Sequence, residues 1–335
     1  MSIFEDGSWL PFTFAFLMGL SMLIYAVLDG YDLGVGMLTE GGNWHDKDRM
    51  IASIGPFWDA NETWLVLGVG LLLTAFPAAH GIILTELYLP VAIMLFGLIF
   101  RGIAFDFRAK VPYHKKWRWN RAFFLGSLLT ALAQGYMLGS YIIGFDDSWA
   151  GVAFSFVISF AVASAYCLVG ACWLILKTEG SLQEKSIRWA KYHLVNSVVG
   201  LATVSLATPL ISERIFDKWF SFPQMLALAP IPVLTGLLIV SLYFMLRKMP
   251  FENDRFCWAP FAMTIAVFVL AFAGLAYSFF PYIVPDRMTI VEAASAPESL
   301  LIMLVGALIV IPILIGYTAL AYYVFRGKAT ELSYN

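Results

Sequence analysis

The chain has 335 residues, of which 60% are hydrophobic and 13% charged, with three cysteines and a formal net charge of −2. Soluble domains carry about 25% charged residues, so this composition, with a mean hydropathy of +0.78, excludes a soluble enzyme or a nucleic-acid-binding domain and indicates a polytopic membrane protein. The small net charge says nothing about partners; its distribution along the chain says more.

Apolar stretches of about 20 residues are long enough to span a bilayer. Nine occur in order: Leu10–Met37, Ile51–Phe76, Gly81–Ile103, Ala122–Phe145, Ala150–Leu176, Tyr192–Leu210, Gln224–Leu246, Cys257–Phe280 and Leu300–Phe325. They predict an all-α integral membrane protein with nine transmembrane helices. The expected arrangement is two four-helix bundles, 1–149 and 150–290, followed by a peripheral ninth helix and tail over 291–335.

The first stretch is preceded by Glu5 and Asp6 and by no Lys or Arg, so it is expected to be a retained span rather than a cleaved signal. It closes on Asp29-Gly-Tyr-Asp32-Leu-Gly-Val-Gly36. Gly41-Gly42-Asn43 and the following charges form the first loop. The second stretch carries Pro56-Phe-Trp58-Asp59-Ala-Asn61-Glu62-Thr-Trp64 near its start. Phe76-Pro-Ala-Ala-His80-Gly81 reads as a tight turn, which would make spans two and three an antiparallel hairpin.

After span three, 106–121 is the most basic segment, with Trp117 and Trp119 among its charges, and it reads as a loop with interfacial aromatics. Placing the N-terminus outside puts all but three of the 21 basic residues on the cytoplasmic side; the exceptions are Arg214, Lys218 and Arg287. That bias supports both the span count and the orientation, with the C-terminus cytoplasmic. Cys167, Cys172 and Cys257 lie in or at apolar stretches without a CxxC pair, and read as small packed hydrophobes.

Carboxylates in apolar spans cost a few kcal/mol each and mark functional interiors. Asp29 and Asp32 are three residues apart, as are Asp59 and Glu62, so each pair shares a helix face. If span two is one helix from Ile51, then Asp29 and Asp59 both lie roughly 12–13 Å from the first loop, at about 1.5 Å per residue. Like-charge proximity and desolvation raise carboxylate pKa values, which suits proton uptake and release. Two other readings stay open. Asp29 and Asp32 could be interfacial or cap a break at Gly30, and Asp59 and Glu62 could form a structural hydrogen-bond knot. Glu86 and Gln134 read as helix–helix contacts.

Membrane cytochromes hold haem iron through His or Met side chains within helices. His45, His80, His114 and His193 all fall at predicted span ends or in loops, so the chain alone makes a poor redox protein. No P-loop, zinc spacing or nucleophile motif is present. The residues also fit a proton- or cation-coupled secondary transporter, with Asp29, Asp59 and Glu62 as coupling-ion ligands. The odd span count and the lack of inverted repeats weigh against that.

Asp29-Gly-Tyr-Asp-Leu-Gly-Val-Gly-Met-Leu38 and Ser53-Ile-Gly-Pro-Phe-Trp-Asp-Ala-Asn-Glu-Thr-Trp-Leu65 resemble the signatures of subunit II of cytochrome bd-type quinol oxidases. Phe100-Arg-Gly-Ile-Ala-Phe-Asp-Phe-Arg108 and Phe280-Pro-Tyr-Ile-Val-Pro285 are similar to that family as well. The short segment 211–225 resembles the compact, cyanide-insensitive branch. The resemblance implies a haem-free subunit in a bacterial inner membrane, binding no cofactor alone and packed beside a homologous, haem-bearing subunit I. A small single-span accessory subunit is a further expected partner. It also implies quinol and oxygen as substrates of the complex, reduction of oxygen to water with cytoplasmic protons, and, in some members, a structural quinone. By the motif match, Trp58 and Asp59 would belong to a proton path, with Glu62, Asp29 and Asp32 as further candidates. Arg101, Asp106, Arg108 and Asn61 are the expected structural polar residues, the first three holding the cytoplasmic end of span three.

Overall fold

The structure, a computed structural model, describes residues 8–329; Glu5, Asp6 and the last six residues lie outside the described residues. The helices are α1 (Leu10–Leu38), α2 (Trp44–Ile54), α3 (Trp58–Ala75), α4 (Pro77–Glu86), α5 (Tyr88–Lys110), α6 (Lys116–Ile142), α7 (Trp149–Lys177) and α8 (Ser181–Ile211). They continue with α9 (Glu213–Phe220), α10 (Gln224–Leu228), α11 (Pro230–Lys248) and α12 (Ala259–Phe279). A two-stranded antiparallel ribbon, β1 (Tyr282–Val284) and β2 (Met288–Thr289), leads into α13 (Ile290–Ala293) and α14 (Pro297–Val324). Among the described residues, eight helices are long and apolar enough to cross a membrane, or nine if the bent pair α3–α4 is one span.

The second predicted span is where the chain departs from its hydropathy. Pro56 has no N–H to donate back into α2, so the hydrogen-bond ladder ends with the Gly55 N–H on Ile51 O. The Ser53 carbonyl left by that break accepts from Trp173 Nε1 at 3.3 Å. Ile51–Ile54 therefore belongs to α2, whose start is fixed by a reciprocal cap between Asn43 and Asp46. Asp59 sits in the first turn of α3, so the helical-rise estimate of its depth does not apply. The second break is at Pro77. Instead of a tight turn, Pro77 opens α4, which bends 119° from α3. Because α4 takes up Gly81–Glu86, the third span starts at Tyr88, and Arg101 lies well inside α5 rather than at its end.

The chain divides into two packed units. The first comprises Met1–Asp29, Pro56–Leu87 and Phe279–Arg326. Here α3 lies against α1 closely enough that a Cβ on Gly68 would come within 2.7 Å of Met22 Sδ. Phe57 stacks on Tyr322 of α14 at 4.6 Å between ring centroids. Ser295 donates its N–H to Ala75 O and its hydroxyl to Thr74 O, taking up carbonyls freed where α3 ends. Glu86, read from the sequence as a helix–helix contact, pairs instead with Arg287 in the ribbon, at 2.7 Å.

The second unit comprises Gly30–Gly55, Tyr88–Ser278 and Gly327–Asn335. Within it α5, α6, α7 and α8 pack in sequence order, each on the next. Both units are discontinuous in sequence, whereas the expected bundles 1–149 and 150–290, and the ninth helix with its tail over 291–335, are continuous segments. Gln134 of α6 is a helix–helix contact, accepting from Tyr166 OH of α7 at 2.7 Å. All three cysteines are free thiols; Cys167 and Cys172 are buried. The segment 211–225 is largely helical, containing α9 and the start of α10.

Candidate functional site

The first acidic motif is built by close helix packing. Gly34 of α1 faces the backbone of α7: a Cβ there would lie 1.8 Å from Tyr166 O. Gly170 on α7 is the reciprocal small residue, 2.6 Å from Val35 N by the same measure. Only glycine permits this approach. Tyr31, completely buried, stacks on Trp173 at 4.3 Å and meets the edge of Phe261. Within the second unit the motif thus presses the end of α1, from Gly30 on, against α7.

Asp32 points into that interior and meets Arg101 of α5, with Nη2 and Oδ2 3.9 Å apart and neither side chain exposed. Arg101 lies on the buried stripe of α5 with Met94, Gly97, Leu98, Ala104, Phe105 and Arg108. Arg108, two turns on, donates Nε to Asn120 Oδ1 at 2.5 Å and forms a short ion pair with Asp48 of α2. Lys116 approaches the same carboxylate at 3.7 Å, while Lys185 of α8 holds Asp46 at 2.6 Å. Asp106, on the other face of α5, is exposed. The sequence reading missed Asp46 and Asp48. The available signal was the alternation of acid and base in His45-Asp-Lys-Asp-Arg49, which marks a segment neutralised in pairs.

In the first unit, α3 buries Asn61, Trp64, Gly68, Leu71 and Ala75, one stripe at helical spacing. Asn61 donates Nδ2 to Leu28 O at 3.3 Å and accepts from Tyr322 OH at 3.4 Å. Asn61 thereby ties α3 to both α1 and α14. Asp29, next to Leu28, is completely buried. Trp58 and Glu62 are half-buried and Asp59 is exposed. The Asp59–Glu62 edge therefore lies on the flank of α3 away from its buried stripe. Asp29 belongs to the first unit and Asp32 to the second, and as members of one continuous helix they share one of its faces.

A family model described as cytochrome bd terminal oxidase subunit II matches residues 10–325. The chain belongs to the cytochrome bd terminal oxidase subunit II family. It is 30% identical to cytochrome bd ubiquinol oxidase subunit 2 of Bacillus subtilis (strain 168), over 91% of this chain and 92% of that one. It is 27% identical to cytochrome bd-I ubiquinol oxidase subunit 2 of Escherichia coli (strain K12), over 97% of each. The fold matches a chain in the structure of bd oxidase from Geobacillus thermodenitrificans with a TM-score of 0.78, at 17% identity, covering 94% of this chain and 98% of that one. As a member of the bd subunit II family, the chain is an all-α, multi-pass membrane protein and a component of an oxidoreductase complex.

Haem, the group implied by the cytochrome name, takes His or Met axial ligands. His45 and His114 are exposed and His80 lies on the short α4. His193, expected at a span end, lies inside α8 because that helix begins at Ser181, and its Nδ1 shares a 2.9 Å hydrogen bond with Ser164 Oγ. Among the described residues, no three His, Cys, Asp or Glu side chains gather as a metal-holding group.

Proposed function

We propose that this chain is the haem-free subunit II of a bd-type quinol:oxygen oxidoreductase, packed beside a homologous haem-bearing subunit I. In this reading it supports assembly of subunit I and contributes a path for the protons consumed when oxygen is reduced to water. It sits in a bacterial inner membrane with its N-terminus outside. The haems and the quinol site belong to the partner. A structural quinone and a small single-span accessory subunit remain part of the proposal without a place on this chain.

The observation that carries the reading is the placement of Asp59. It is exposed on the surface of this chain, in the first turn of α3, which with α4 forms a bent pair long and apolar enough to make up a membrane span. A carboxylate facing lipid is costly, so such an edge is expected to be covered by a partner or a hydrated path. With Glu62 one turn on and Trp58 adjacent, the α3 flank offers two titratable groups at an interface. Asp29 and Asp32 are the further acids of the proposed path. Arg101, Arg108 and the Asn61 link are assigned a structural role. Asp106 is retained as a polar surface position.

The test is purification in mild detergent. A haem-bearing chain of similar length should co-purify in equal amount with quinol-dependent oxygen consumption. A colourless, active single chain catalysing ion-coupled transport would overturn the reading.

A further inference from the structure

The second unit contains a cavity of about 420 Å³ that the oxidase reading does not use. It lies where the end of α1 and the start of α2 meet the first turns of α6. Its walls include Glu40, Trp44, Lys47, Trp117 and Arg121, with Asn120 among the lining residues. Asn120 is 2% exposed. Its Oδ1 accepts from Arg108 Nε, and only the carbonyl oxygen of the amide can do so, which fixes Nδ2 as a donor on the other side. Nδ2 is buried and has no acceptor among the described residues. Buried donors ordinarily find an acceptor, so this one is a donor that the described residues leave unused.

Charge selects the group. Lys47 is partly offset by Glu40 at 3.7 Å, and Asp48 is shared between Arg108 and Lys116. Among the described residues Arg121 has no ion pair, and it makes a cation–π contact with Trp117, at 5.1 Å; Arg118 lies over the same ring at 5.5 Å. The cavity surroundings are therefore net positive. Trp44 and Trp117 are each about two-fifths exposed, as interfacial aromatics are. One turn beyond Arg121 on the same face of α6, Leu125 is 46% exposed and offers an apolar continuation.

We propose that this cavity binds a phosphate ester, with Arg121 and Lys47 neutralising it, Asn120 among its lining residues and the two tryptophans flanking it. The source is the headgroup of an anionic phospholipid, whose acyl chain would follow the Leu125 face. A soluble phosphate shares the headgroup chemistry but would make no use of that face.

The test uses the intact, delipidated complex and native mass spectrometry with added phosphatidylglycerol, phosphatidylcholine or inorganic phosphate. The variants are Arg121→Gln with Lys47→Gln, both at partly exposed positions, and Asn120→Asp, which keeps the acceptor for Arg108 but repels an anion. Wild type should retain one more phosphatidylglycerol than the variants. Its affinity should fall about fivefold for each basic residue removed, with a smaller change for phosphatidylcholine. Displacement of the lipid by inorganic phosphate would support the phosphate site but assign it to a soluble ligand. Equal phosphatidylglycerol and phosphate binding by wild type and all variants, with the variants folded, would overturn the proposal.

Discussion

Asp32 and Arg101 form an ion pair at 3.9 Å in which neither side chain is exposed. Removing one member of a buried pair leaves the other charge uncompensated, at a cost of about 3–5 kcal/mol. That is a large share of the roughly 5–15 kcal/mol stability of a typical domain. Arg101→Ala is expected to lower the yield and melting temperature of the assembled complex sharply. The double variant Asp32→Asn with Arg101→Gln, which removes both charges, should recover much of the loss. Size-exclusion yield and thermal melting of the purified complex decide the matter. A normal yield of Arg101→Ala with altered turnover alone would refute the structural role.

Gly34 supplies a second expectation. Its absent Cβ would lie 1.8 Å from a backbone oxygen of α7, an atom that cannot rotate away. Overpacking of this kind costs about 1–3 kcal/mol or more. Gly34→Ala should therefore reduce assembled protein. Gly70→Ala, on α3 with nothing within 4 Å of the added carbon, should be neutral or mildly stabilising through helix propensity, by at most about 1 kcal/mol. Parallel expression and melting of the two variants is the measurement, and equal behaviour would show that the α1–α7 contact is loose.

The membrane class, the approximate positions of the spans and the family were legible in the chain because they rest on composition and on two local motifs. The breaks were less so. Hydropathy averages over Pro56 and Pro77, yet a missing N–H at each ends a helix, and the two together turn one expected span into α2, α3 and α4. That change moved Arg101 inward and took Asp59 out of a continuous helix. The partners of the site residues were not legible at all. Asp32 with Arg101, Arg108 with Asp48 and Asn61 with Tyr322 are joined by tertiary packing, and no local pattern encodes them.

Ser148 caps α7, accepting from Gly151 N at 3.1 Å while its hydroxyl bonds Asp146 Oδ2 at 2.6 Å. Ser148→Ala should cost about 1 kcal/mol of helix-start stability. The Asp146 carboxyl is held below its usual range by the Ser148 hydroxyl first and the Ser148 amide second. A depressed carboxylate contributes stability above its unfolded value of about 3.9 and loses it as pH falls through the lower folded value. The variant loses the hydroxyl bond, so the difference in melting temperature between it and wild type should narrow as pH drops below about 4. A pH-independent difference would mean that only the cap, and not the carboxylate, matters.

Asp59 carries the functional prediction. It stands exposed on the first turn of α3, beside Trp58 and one turn before Glu62. Asp59→Asn preserves size and much of the hydrogen bonding but cannot titrate. If the group passes protons, the assembled variant should keep its haem spectrum and lose at least about tenfold in quinol-dependent oxygen consumption. That threshold lies below the roughly hundredfold at which the effect of removing a positioned proton-transfer group typically begins. Asp59→Glu retains a carboxylate and should lose less. Full oxygen consumption in correctly assembled Asp59→Asn would exclude an obligatory relay. Loss of haem or of subunit I from the same variant would instead assign Asp59 to the interface, where the carboxylate binds a partner group rather than carrying protons.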